Sequence, residues 1–122
     1  MAFLKEIQQA GLWLTQAQAC VGSIESGITA AGTTQATAYQ LSKVISNVTT
    51  AALNSGVVVP TGAAAGDQVL VRNGGANALA VYPVGTATIN GAGAGVALSL
   101  AVGKTCQLVC LDGSNWIGTA GA

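Results

Sequence analysis

The sequence contains no histidine and very little charge. Its 122 residues include four Lys or Arg and four Asp or Glu, 7% charged where about 25% is usual. Without histidine the chain lacks the commonest general base near neutral pH and the commonest metal ligand. The carboxylates Glu6, Glu25, Asp67 and Asp112 are scattered, and Asp67 and Asp112 read as turn residues, so no catalytic pair is suggested. Lys5, Lys43, Arg72 and Lys104 are equally dispersed and form no basic patch, which argues against nucleic-acid binding through phosphate neutralisation. The expectation is a protein that is not an enzyme and takes no cofactor.

Cysteine is nearly as scarce. Cys20, Cys106 and Cys110 lack the paired C-x-x-C spacing of a zinc site and suggest no disulfide framework. On a strand, Cys106 and Cys110 would share a face with Leu108, too far apart to bridge, and behave as small buried hydrophobes. Long apolar runs are missing too. Lys5, Glu6, Gln8 and Gln9 break up the start of the chain, so "LTQAQAC" has no apolar stretch of the length a signal peptide needs. No segment nears the roughly 18 apolar residues that would span a bilayer. These features predict a chain made in the cytoplasm, unprocessed and not bound to membrane.

Fragments of known motifs fail on context. "VGKT", Val102 to Thr105, imitates the end of a phosphate-binding loop, but Leu98 stands where the first glycine is required and a strand pattern follows. "GAGAG", Gly91 to Gly95, has no dinucleotide-binding context. "NVT" at Asn47 is a glycosylation pattern only in a secreted chain.

What remains is Ala, Val and Gly. The chain is 51% hydrophobic with only 4% aromatic residues, and it holds 17 glycines. Two textures alternate along it. In residues 1–33, Phe3, Leu4, Ile7, Ala10 and Leu14 recur at helical spacing, suiting a short amphipathic helix, and a small, polar, glycine-broken stretch follows. This reads as an N-terminal arm, whose apolar residues need a surface to lie on. From residue 34 to 122 the period becomes two. "ATAYQLSKVISNVTT" reads as kinked strands, "GVVVP" as a short strand, and "DQVLVRN" and "ALAVYP" as a hairpin about "GGAN". "TATING", "GVALSLAVG", "KTCQLVCL" and "SNWIGT" continue the pattern, with turns at Asn90-Gly91 and Asp112-Gly113. Strands at such spacing predict an all-β fold, a small antiparallel β-sandwich or barrel with an N-terminal arm.

The run from "NVTTAALNSGVVVP" through "VLVRNGGANALAVYP", "TINGA", "SLAVGKT" and "DGSNW" resembles a module of tailed-bacteriophage virion proteins. These are capsid decoration proteins, head fibres and some tail appendages. The resemblance covers roughly residues 34–118 and implies a capsid decoration (cement) or head-fibre protein on the capsid surface of a virion, made in the host cytoplasm. It implies binding to the major capsid protein and a homo-oligomer, with a trimer favoured. Phe3, Leu4, Ile7, Leu12, Trp13 and Leu14 are the expected capsid-attachment residues. Tyr82, Asn115 and Trp116 are expected at an oligomer or surface contact. A tail or baseplate appendage touching a host receptor or glycan is the first alternative, and a lectin-like binding module the second. A neutral, small-residue surface suits the assembly reading, because nothing holds copies apart and no charge has to be desolvated at the contact.

Overall fold

The computed structural model of the chain describes residues 23–121. Ten strands form two sheets that enclose one core, and no helix forms among the described residues. In chain order they are β1 (Ile24–Thr29), β2 (Tyr39–Gln40), β3 (Ile45–Thr50), β4 (Gly56–Val58), β5 (Gln68–Asn73), β6 (Leu79–Tyr82), β7 (Thr88–Ile89), β8 (Leu98–Leu100), β9 (Thr105–Cys110) and β10 (Asn115–Gly121). The larger sheet has the order β1-β3-β5-β9-β10-β7 and the smaller β2-β4-β6-β8.

The all-β expectation holds; the antiparallel sandwich or barrel does not. From β1 to β6 the chain alternates between the two sheets, and each strand pairs in parallel with the one a full turn earlier. Ile24 pairs with Ile45 and Ile45 with Leu70 in the larger sheet. Tyr39 pairs with Val57 and Val57 with Val81 in the smaller. This is a short β-solenoid of three stacked coils. Only then does the direction reverse. β8 runs antiparallel to β6, and the β9–β10 hairpin inserts between β5 and β7.

A period of two identifies strands without saying which strand lies beside which. The expected hairpin of "DQVLVRN" and "ALAVYP" shows the consequence, because β5 and β6 lie in different sheets. The segment between them is a corner. The side chain of Asn73, fully buried, accepts from the Gly75 amide at 3.0 Å and donates to the carbonyls of Asn77 at 2.9 Å and Leu100 at 3.0 Å. A buried amide with every polar group paired holds the bend where a two-residue turn would have folded the strands together.

Strands also form inside the expected arm. Ile24–Thr29 is β1, paired with β3, and Ile28 and Ala30 belong to the core. The kink expected within "ATAYQLSKVISNVTT" falls at the corner between β2 and β3. In β9 the alternation is as expected, with Cys106, Leu108 and Cys110 buried against Val69, Val71 and Trp116. Burying apolar area at roughly 25 cal/mol per Å² is the main favourable term in such a core.

Candidate functional site

The two sheets present different outer faces. On the smaller sheet the chain covers part of its own outer face, with Ser99 on β8 left exposed. The Tyr82 ring lies across Gly56, where an added Cβ would sit 2.7 Å from the ring, and its hydroxyl donates to the Thr33 carbonyl at 3.4 Å. Gln40 donates to the carbonyls of Leu41 and Val59, both at 2.9 Å.

The outer face of the larger sheet has no such cover from the described residues. Ile24, Ile45, Leu70, Gln107 and Thr119 stand in one row across β1, β3, β5, β9 and β10. Gln68, Val109 and Ile117 form the adjacent row. Ile24 is 64% exposed and Ile117 46%, while Ile45, Leu70 and Val109 are half-buried. A hollow of about 750 Å³ opens on the β3–β5 side, lined in part by Ser23, Lys43, Ile45, Asp67 and Leu70. A second, of about 290 Å³, lies on the β9–β10 side among Asn90, Gln107, Val109 and Ile117. In the strands, Arg72, beside Asn47 and Thr105, is the charge on this face.

The residues expected at a surface contact are not brought together. Tyr82 belongs to the smaller sheet, Asn115 and Trp116 to the larger. Trp116 is a correction: at 2% exposure it is core, not contact. It alternates inward on β10, opposite Cys110 and Ile89, where a large aromatic gains most from burial. Asn115 is half-buried, and its side chain is occupied by β7 and by its own turn. Its side-chain Oδ1 accepts from the Thr88 hydroxyl at 2.7 Å, and its side-chain Nδ2 donates to the Asp112 carboxylate. Phe3, Leu4, Ile7, Leu12, Trp13 and Leu14 lie outside the described residues.

Two carboxylates have defined roles. Asp112 accepts from the Ser114 and Asn115 amides, both at 2.9 Å, and these bonds with the Asn115 side chain hold its carboxyl below the usual carboxylate range. Glu25, on β1, accepts from the Tyr39 phenol, and that bond, aided by desolvation and the nearby negative charge, raises the phenol above its ordinary value. The second Glu25 oxygen and the hydroxyl of the fully buried Ser46 have no hydrogen-bond partner among the described residues. Glu25 and Ser46 are neighbours in register, so this polar group lies at the β1 end of the core. Among the described residues no group of three or more His, Cys, Asp or Glu is placed to hold a metal ion, and no helix is long and apolar enough to cross a membrane.

Cys106 is wholly buried, and desolvation pushes its thiol up to about 11. Sequence reasoning missed the structural asparagines. Asn73, Asn77 and Asn90 read simply as turn residues, but each turns a side-chain amide onto backbone elsewhere in the fold. Asn90 does it in full, donating to the Gly118 carbonyl and accepting from the Gly118 amide, both at 2.9 Å, like an extra rung beside β10. The available signal was asparagine just before a glycine, at Asn73-Gly74 and Asn90-Gly91; Asn77, between two alanines, carried none.

Compared with protein-family models, curated proteins and solved structures, the chain matches none.

Proposed function

We propose that the protein is a structural component of a phage virion, a capsid decoration or head-fibre protein that works by binding and not by catalysis. It attaches to the major capsid protein through its N-terminal residues, self-associates through its β domain as a trimer, and stands on the capsid surface. One observation carries this reading: the larger sheet presents a continuous outer face of Ile, Leu, Val, Gln and Thr with Arg72 as its strand charge. A face of that kind suits a permanent contact, since burying it desolvates little charge, whereas a monomer carrying it risks adhesion. Stacked coils support the same role. Their backbone groups are paired coil to coil, which gives a stiff body that needs no ligand to hold its shape.

The test is sedimentation of the tagged chain with separated heads and tails of the phage that encodes it. Co-sedimentation with DNA-filled heads is expected. Binding to tails alone, or to neither, would overturn the proposal.

A further inference from the structure

We infer that Asn90 is a self-modification site: it deamidates through a cyclic imide closed by the Gly91 nitrogen, and the conversion unfastens the edge of β10. The reaction belongs to the chain's own backbone and does not depend on what the protein binds.

The sequence holds two Asn-Gly pairs, Asn73-Gly74 and Asn90-Gly91. In such a pair the glycine nitrogen, with no side chain beside it, can most readily reach the preceding amide carbon. The fold places the two oppositely. Asn73 is fully buried, and the Gly74 amide donates to the Val48 carbonyl at 2.7 Å. A Cβ on Gly74 would lie 2.6 Å from an Arg72 guanidinium nitrogen and 3.1 Å from the Val48 oxygen. That nitrogen is engaged, its surroundings are full, and water is kept from the amide. Asn90 is exposed, and the Gly91 amide donates no hydrogen bond among the described residues. Nothing lies within 4 Å of where a Gly91 Cβ would be. Both asparagines receive a backbone N–H on Oδ1, from Gly75 and from Gly118, which steadies charge on that oxygen as the carbon is attacked. What separates Asn90 is the free nitrogen, the open space and access to water.

In the reaction the Gly91 nitrogen bonds to the side-chain carbon Cγ of Asn90, and the amide nitrogen leaves as ammonia, taking the Gly91 proton. Water then opens the imide at one carbonyl or the other, giving aspartate or its isomer linked through the side chain. Nothing is oxidised or reduced, and water is the sole co-reactant. Neither product reproduces the native clasp, in which Asn90 both donates to the Gly118 carbonyl and accepts from the Gly118 amide. A carboxylate cannot donate to that carbonyl, and the isomer, with one more carbon in the main chain, displaces the acceptor as well. β7 pairs with β10 at Asn115 and Trp116, so at Gly118 that edge is held by Asn90.

The experiment ages the full chain at mildly alkaline pH, folded and in denaturant, and locates converted residues by mass spectrometry with fragmentation. In the folded chain Asn90 should exchange its amide NH for O at least tenfold faster than Asn73, while in denaturant the two should convert at similar rates. Gly91→Ala, which crowds the attacking nitrogen and leaves the clasp residues in place, should slow conversion at Asn90 at least tenfold with circular dichroism unchanged. Hydrogen exchange at the Gly118 amide should be at least tenfold faster in converted than in fresh protein, with the Gly75 amide unaffected. Conversion of Asn73 as fast as Asn90 in the folded chain, or conversion of Asn90 confined to the denatured chain, would overturn the assignment of the site. Unchanged exchange at Gly118 in converted protein would overturn the unfastening of β10.

Discussion

The side-chain amide of Asn77 donates a 2.9 Å hydrogen bond to the backbone carbonyl of Ala51, one coil back in the stack. With the fully paired Asn73 amide it ties the corner after β5 to the corner after β3 and to Leu100 on β8. Replacing Asn73 by Ala removes three hydrogen bonds and leaves enclosed backbone groups unmatched. The expected cost is about 2–4 kcal/mol, seen as a lower urea midpoint at unchanged slope. Asn77→Ala, at a half-buried position, should cost about 1 kcal/mol. Equal, negligible effects would mean that the corners are held by something other than these amides.

Gly75 packs against the same neighbour. A Cβ there would lie 2.5 Å from the Ala51 nitrogen and 2.6 Å from its Cβ, closer than packed atoms approach, and backbone gives way poorly. Gly75→Ala should therefore destabilise by more than about 2 kcal/mol. Gly62→Ala, with open space around it but a φ of +75°, should cost only the roughly 1 kcal/mol of left-handed strain. Thermal melts of the two variants compare crowding with strain directly.

The element positions and the inward face of β9 were legible because alternation reports burial one strand at a time. Cys106, Leu108 and Cys110 follow it without exception. Partner choice was not legible. "VRNGGANALAVYP" carries a hairpin's glycines, but Asn73 spends its side chain on the bend and sends Leu79 into the other sheet. The N-terminal boundary misled for a related reason. Ile24 and Ile28 sit in a glycine-rich stretch whose strand character comes from pairing with β3, a long-range partner that local pattern does not encode. Of the expected surface trio, Tyr82 lies on an outer face but is spent covering Gly56, and Trp116 is core.

Cys106 and Cys110 should resist thiol reagents in the folded protein and label only on denaturation. Both are buried, and for Cys106 the thiolate is disfavoured as well. The same burial sets an alkaline limit. An unfolded cysteine ionises near 9.0, whereas Cys106 holds its proton up to about 11. Between those values the folded state binds more protons than the unfolded one, so stability is intact below pH 9 and falls as pH rises towards 11. The loss is on the order of 2–3 kcal/mol. Tyr39, raised from 10.0 by Glu25, acts in the same direction. Urea midpoints at rising pH check this, and Cys106→Ala should flatten the decline while lowering stability throughout. An equally steep decline in that variant would assign the alkaline limit elsewhere.

Attachment to the shell should be apolar in character. The residues expected to carry it, Phe3, Leu4, Ile7, Leu12, Trp13 and Leu14, have only Lys5 and Glu6 as charged neighbours within residues 1–14. A few buried large side chains usually dominate an interface, and each contributes about 1.5–3 kcal/mol when fully buried. An exposed ion pair offers about 0.2–1 kcal/mol and is screened by salt. The apolar term wins by a wide margin. Binding to heads should therefore change little between low and high salt, yet fall at least tenfold in Trp13→Ala and vanish when residues 1–14 are deleted. On the proposal that the β domain associates without these residues, the Trp13→Ala protein should keep wild-type mass in sedimentation, separating lost attachment from lost assembly. Strong salt dependence with an indifferent Trp13→Ala would instead move the contact to Lys43, Arg72 or Lys104 on the β domain, and the molecule would stand on its shell the other way up.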